Sequence, residues 1–196
     1  MNKKYIARVS RWLHIYLSMV SFLIVLFFSV TGLTLNHADY FQANSTTIIE
    51  KGKVQPDWVS VPDTQKIKKL ELVEFLRNKY ALKGAIADFR IDDAEISFSL
   101  KAPGYEASIF VERETGSYEI TQTSQGLIGF LNDLHKGRDT GRTWLWVIDI
   151  AAVLMVLISL TGLVLLFYLK KKRLAGIFLL IIGGIISYAV YQFWGQ

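Results

Sequence analysis

The sequence predicts a membrane α-helical protein of three transmembrane helices, with a small α+β domain inserted between the first and the second. Three observations predict it. Apolar residues make up 52% of the 196 residues and charged residues 20%, a lower charged share than the roughly 25% of soluble domains. The apolar residues gather in blocks near both ends of the chain. Between those blocks runs a polar stretch with helical and then alternating apolar spacing. This distribution excludes an ordinary cytosolic enzyme. The absence of cysteine excludes disulfide scaffolds, thiolate zinc sites, iron–sulfur clusters and thiol redox chemistry. A net charge of +5 raises the question of nucleic acid, but most basic residues flank apolar runs, which is the pattern of membrane topology.

The first apolar run, Trp12 to Leu35, contains no Asp, Glu, Lys or Arg. Its roughly two dozen residues span about 36 Å as a helix, enough to cross a bilayer with some tilt. The run is too long for a signal-peptide core and no small-x-small cleavage pattern precedes Asn36-His37, so it reads as a retained helix. A second run covers Trp144 to Leu169, interrupted only by Asp149, and a third covers Leu174 to Trp194. Lys3, Lys4, Arg8 and Arg11 precede the first helix, and Lys170, Lys171, Lys172 and Arg173 separate the second from the third. The positive-inside rule places both clusters in the cytoplasm. Residues 38–142 then form an exported domain, between residues 1–37 (cytoplasmic N-terminus and first helix) and residues 143–196 (the second and third helices). A bacterial inner membrane with a periplasmic domain fits this arrangement.

Within the exported segment, Asp63 or Thr64 caps a helix reaching about Tyr80. Alternation follows in Phe89-Arg90-Ile91, Ile96 to Leu100, Ser108 to Val111 and Tyr118-Glu119-Ile120, separated by turns at Asp92-Asp93, Ala102-Pro103-Gly104 and Glu114-Thr115-Gly116. These spacings predict an antiparallel meander packed on one helix. A second helix from about Gln125 to Leu134 leads to His135 and back to the membrane.

The chain has three histidines, and all fall at membrane-relevant positions. His14 lies about one turn inside the cytoplasmic end of the first helix, His37 at its outer end, and His135 just before the second helix. Histidine in or beside a span is costly and points to function. His37 and His135 are expected to meet on the outer side of the membrane. Two imidazoles without a thiolate suit haem iron, whereas zinc or copper asks for three or four protein ligands. Lys136, Arg138 and Arg142 surround His135 and offer charge-assisted bonds to haem propionates, or simply mark the membrane interface. About 35 Å of helix separates His14 from His37, so one haem cannot use both. A haem-ligating His14 would need the His14 of a second protomer; quinone binding, proton relay or no chemistry are the other readings.

A stripe of His14, Ser18, Ser21, Val25, Phe28, Gly32 and Asn36 follows 3–4 spacing and suits close approach of a helix or a macrocycle, as well as plain helix packing. Ser29-Val30-Thr31-Gly32-Leu33 is echoed by Ser159-Leu160-Thr161-Gly162-Leu163. Gly176, Gly183, Gly184 and Ser187 form a small-residue face on the third helix, suited to a homodimer. Asp149 is the one acid within a span, placed for proton or ligand chemistry or for helix capping with Arg142.

Arg11-Trp12-Leu13-His14, the run Thr31-Gly32-Leu33-Thr34-Leu35-Asn36-His37, and Leu134-His135-Lys136-Gly137 followed by Trp144 to Asp149 resemble the PepSY-associated transmembrane helix family. The resemblance covers nearly the whole chain and is closest to the VciB-type haem ferric reductases. It implies a PepSY-like exported domain, b-type haem, dimerisation, and His14, His37 and His135 as candidate iron ligands. The function it implies is electron transfer outward to periplasmic ferric iron or a ferric siderophore. No G-x-G-x-x-G fingerprint is present, so the donor is expected to be a membrane quinol or a cytoplasmic reductase. Asp133, Asp139, Asp92 and Asp93 are oxygen donors for iron or ordinary solvated turn residues. The alternatives are a non-enzymatic membrane-anchored PepSY module that binds a partner protein or regulates a protease, and a transporter-assembly factor.

Overall fold

Alternating apolar residues and well-placed turns build the central domain. The computed structural model describes residues 3–42, 45–61, 63–168 and 171–195. Leu169 and Lys170, which the sequence places at the end of the second apolar run and in the second basic cluster, lie outside the described residues. In chain order the elements are α1 (Lys3–Asn36), α2 (Ala38–Gln42), β1 (Thr46–Lys53), α3 (Lys69–Tyr80), β2 (Ala85–Ile91), β3 (Glu95–Ala102), β4 (Tyr105–Glu112), β5 (Ser117–Ser124), α4 (Gly126–Lys136), α5 (Arg142–Tyr168) and α6 (Arg173–Trp194). The five strands form one antiparallel sheet in the order β1-β5-β4-β3-β2.

Period-2 spacing turns Ile96, Phe98 and Leu100 of β3 and Ala107, Ile109 and Val111 of β4 to one face, where all are buried. Leu72, Val73 and Leu76 of α3 cluster with them, as do Tyr118 and Ile120 of β5. The predicted meander is therefore present, with one strand more than the alternation indicated. β1 pairs along its whole length with β5, yet Ile48 and Ile49 are both exposed. An edge strand with little burial carries no alternating signature. Gly52 lies opposite Tyr118, whose ring occupies the space a side chain would take.

Helix α3 begins later than the Asp63 or Thr64 cap predicts. Thr64–Lys66 closes as a 3-10 turn, with Lys66 N–H donating to Asp63 O at 3.0 Å. Lys68 N–H then turns away to Trp58 O, and Ile67 is buried in the core. The α-helix starts only afterwards. At its far end Lys79 donates to Tyr118 Oη, and this bond holds the lysine above its ordinary pKa range.

Helices α1, α5 and α6 are the three among the described residues that are long and apolar enough to cross a membrane, with mean hydropathies of 2.2, 2.8 and 2.2. At most 6% of the most apolar stretch of any of them is buried inside the chain, so their apolar surface requires lipid or another protein as cover. Contacts divide the chain into two compact units. One comprises α1 up to Leu26 together with the chain from Asp149 onward; the other is Phe27–Ile148.

Candidate functional site

In the Phe27–Ile148 unit, helix α4 carries His135 in its last turn rather than just beyond it. Gly137 stops the helix with a left-handed φ of +68°, a conformation that favours glycine. The next residue returns: Arg138 N–H donates to Asp133 O at 2.9 Å, and the Arg138 guanidinium pairs with the Asp133 carboxylate at 2.6 Å. The other Asp133 oxygen accepts from Gly104 N–H at 2.8 Å. Gly104, in the β3–β4 turn, lies so close to α4 that a Cβ there would come within 2.8 Å of the Phe130 backbone. Asp133 is thus a buried tie between turn and helix, and Arg138, its counter-ion, is already engaged.

The His135 imidazole is half-buried. Its Nδ1 lies 2.7 Å from Thr31 Oγ1, its ring meets Phe28 edge-on at 5.1 Å, and a Cβ at Gly32 would stand 3.5 Å from its Cε1. The Thr31 hydroxyl has one proton, which it donates to Phe27 O at 2.6 Å. With that proton on Phe27 O the hydroxyl is left to accept from His135, an arrangement that in a neutral ring puts the proton on Nδ1 and the lone pair on Nε2. Trp144 Nε1–H donates to Leu134 O and fixes the start of α5 against the end of α4.

The other unit holds a second arrangement of the same kind. His14 Nδ1 lies 3.0 Å from Thr161 Oγ1 and 3.2 Å from Ile158 O. A carbonyl only accepts, and Thr161 donates its proton to Leu157 O or Ile158 O, each at 2.9 Å. His14 Nδ1–H is then the donor here too, which in a neutral ring leaves the lone pair on Nε2. A Cβ at Gly162 would come within 3.1 Å of His14 Cε1. The echoed segments noted in the sequence each supply the Thr-Gly step against which a histidine from elsewhere in the chain is seated.

His37 is placed differently. It is exposed just past the end of α1, with Nδ1 donating to Leu33 O at 3.1 Å and its ring 6.0 Å from Tyr40. No hydrogen bond or ring contact joins it to His135. Six residues beyond Thr31, at about 100° per residue, it lies roughly 120° around the helix from the face that holds His135. Along α1, Ser21 and Thr31 are buried and His14, Ser18, Phe28 and Gly32 half-buried, while Val25 and Asn36 of the expected stripe are exposed. Ser21 is fully buried and its hydroxyl has no hydrogen-bond partner among the described residues.

A cleft of about 420 Å³ is lined by Leu35, Ala38, Thr123, Gln125, Gly129, Asn132, Asp133, Lys136 and Arg138. Thr34 Oγ1 lies 2.8 Å from the Asn132 side chain and 2.9 Å from Thr31 O, so cleft and histidine share one hydrogen-bonded ladder. Lys136 is exposed and forms no ion pair among the described residues. Arg142, at the start of α5, is likewise exposed without an ion pair among them. Asp149 is exposed, and its side chain forms no hydrogen bond or ion pair among the described residues. Asp92 and Asp93 offer their backbone carbonyls to Arg113 at 2.9 and 3.0 Å. Asp139 approaches Arg138 at 4.0 Å. Among the described residues no group of three or more His, Asp or Glu side chains could hold a metal ion.

Sequence spacing does not assign Thr31 and Thr161 as partners of the histidines; their one signal in the sequence is the echoed Ser-x-Thr-Gly-Leu segment. A family model described as PepSY_TM-like matches residues 8–194. No curated protein and no solved structure matches the chain.

Proposed function

This chain belongs to the PepSY_TM-like family, and we propose that it is a haem b ferric reductase of the bacterial inner membrane, similar to the VciB-type enzymes. In this reading it passes electrons outward to periplasmic ferric iron or a ferric siderophore. The observation that carries the reading is the pair of histidine seats, each holding an imidazole by Nδ1 and leaving Nε2 with its lone pair. A porphyrin brings four nitrogens to its iron and asks the protein for only one or two more, which fits a chain whose described residues gather no cluster of three ligands.

His14 and His135 would hold haem through Nε2, with His37 as the further candidate in the unit of His135. When bound, haem supplies one-electron cycling of its iron. His14 is the one histidine of its unit, so a second histidine holding haem there would come from another copy of the chain in a homodimer. Gly183 and Gly184 of α6 face open space in this chain and suit that contact. A quinol donor gives two electrons and two protons, enough for two ferric ions; a cytoplasmic reductase is the other donor class. Of the cations predicted to pair with propionates, Arg142 remains uncommitted, while Arg138 balances Asp133.

Lys136 then serves the substrate side. Its unpaired charge in the polar cleft attracts an anionic, oxygen-rich ferric chelate and steers its approach. Lys136→Glu is expected to slow reoxidation of the reduced protein by ferric citrate about tenfold at low salt, with an unchanged haem spectrum, because rim charges act mainly on association. Stopped-flow traces at two ionic strengths check this. An unaltered rate at low salt would remove Lys136 from the substrate path.

A further inference from the structure

We infer that Thr31 and Thr161 are positioning residues that set the tautomer of His135 and His14, and that Thr31 is the more critical of the two. The two Ser-x-Thr-Gly-Leu segments share a division of labour. Threonine bonds the ring nitrogen Nδ1, and the following glycine leaves room for the ring edge at Cε1. Each threonine donates its only proton to a carbonyl of the preceding helical turn, Phe27 for Thr31 and Leu157 or Ile158 for Thr161. The hydroxyl lone pair left over accepts Nδ1–H, so the ring proton sits on Nδ1 and the lone pair on Nε2. A ligating imidazole is normally held in this way by an acceptor on its other nitrogen, which fixes ring orientation and raises ligand basicity.

The two seats differ in one respect that makes the inference specific. His14 Nδ1 has a second acceptor, Ile158 O at 3.2 Å, whereas Thr31 Oγ1 is the one hydrogen-bond partner of His135 Nδ1 among the described residues. Thr31 is also buried, at 2% exposure, so water does not readily replace its hydroxyl. Removing the Thr161 hydroxyl leaves His14 a carbonyl to bond. Removing the Thr31 hydroxyl leaves His135 with nothing, and its ring is free to move the proton to Nε2 or to rotate.

The test reads the tautomer directly in the full-length protein without added cofactor, labelled with ¹⁵N-histidine in detergent at a pH where the rings are neutral. Long-range ¹H–¹⁵N correlation should show Nδ1–H at His14 and His135 in the wild type. Thr31→Val should shift His135 toward Nε2–H, Thr161→Val should leave His14 at Nδ1–H, and Thr31→Ser should restore the wild-type pattern. Nε2–H at His135 in the wild type, or an unchanged His135 in Thr31→Val, overturns the inference. The wild-type spectrum decides the matter even where the valine variant fails to fold.

A haem titration adds the arm that rests on the proposed function. Thr31→Val should weaken binding about 10- to 100-fold, the usual effect of losing such a supporting bond, and Thr161→Val by less. A wild type that binds no haem would remove the reductase reading while the tautomer result still stands. A wild type that binds haem with an affinity insensitive to Thr31→Val would remove the positioning role alone.

Discussion

Replacing His135 by alanine is expected to lower haem affinity by more than about 100-fold, since loss of a supporting bond alone costs about 10–100-fold and this change removes the proposed ligand itself. The seat explains why no neighbour takes over. His37 lies roughly 120° away around α1 and is exposed, and the nearby cations Lys136 and Arg138 cannot ligate iron while protonated. His14→Ala should have an equally large effect on a second population of haem, because His14 is seated by its own threonine and glycine. Haem content against protein for the two single variants and the double variant measures this. Independent partial losses that add in the double variant are expected. Full haem retention in His135→Ala would contradict the assignment of its Nε2 as a ligand.

The second large effect is structural and lies in the sheet domain. Arg113 is buried, at 7% exposure, and its guanidinium donates to four backbone carbonyls: Val59, Val61, Asp92 and Asp93. No carboxylate forms an ion pair with it among the described residues, so these carbonyl dipoles are what stabilise its charge. The planar fork ties the strand-free segment around Val59 to the β2–β3 turn, a task that a lysine ammonium cannot reproduce. Arg113→Ala should cost about 3–5 kcal/mol of domain stability, the range for breaking a buried charged network, and Arg113→Lys should recover only part. Thermal melts of the intact protein in detergent, read by loss of β-structure, check this. A loss below about 1 kcal/mol would mean that water replaces the guanidinium at no great cost.

Much of this architecture is legible in the residues themselves. The three apolar helices follow from long apolar runs, broken only by Asp149 in the second, and the β3–β4 hairpin from Ile96, Phe98, Leu100, Ile109 and Val111 around Pro103-Gly104. β1 has no signature in the sequence because its isoleucines sit on an exposed edge and its pairing depends on β5, some seventy residues later. The cap at Asp63 or Thr64 does not start α3 because a backbone bond to Trp58 outweighs it. At the site the histidines stood out by rarity and position, yet their partners are 104 and 147 residues distant. Periodicity reports which face a residue occupies, and it is silent about what meets that face. The repeated Ser-x-Thr-Gly-Leu segment was visible, but its meaning depends on which ring packs against each copy.

The central claim, that seated histidines hold haem for outward electron transfer, is tested most directly by the visible spectrum of the purified wild-type protein during reduction and reoxidation. Protein from haem-supplied cells should be red, give a low-spin b-type spectrum on dithionite reduction, and return to the oxidised spectrum when ferric citrate is added in a stopped-flow mixer. Colourless protein, or reduced haem that ferric complexes leave unchanged, would contradict the account.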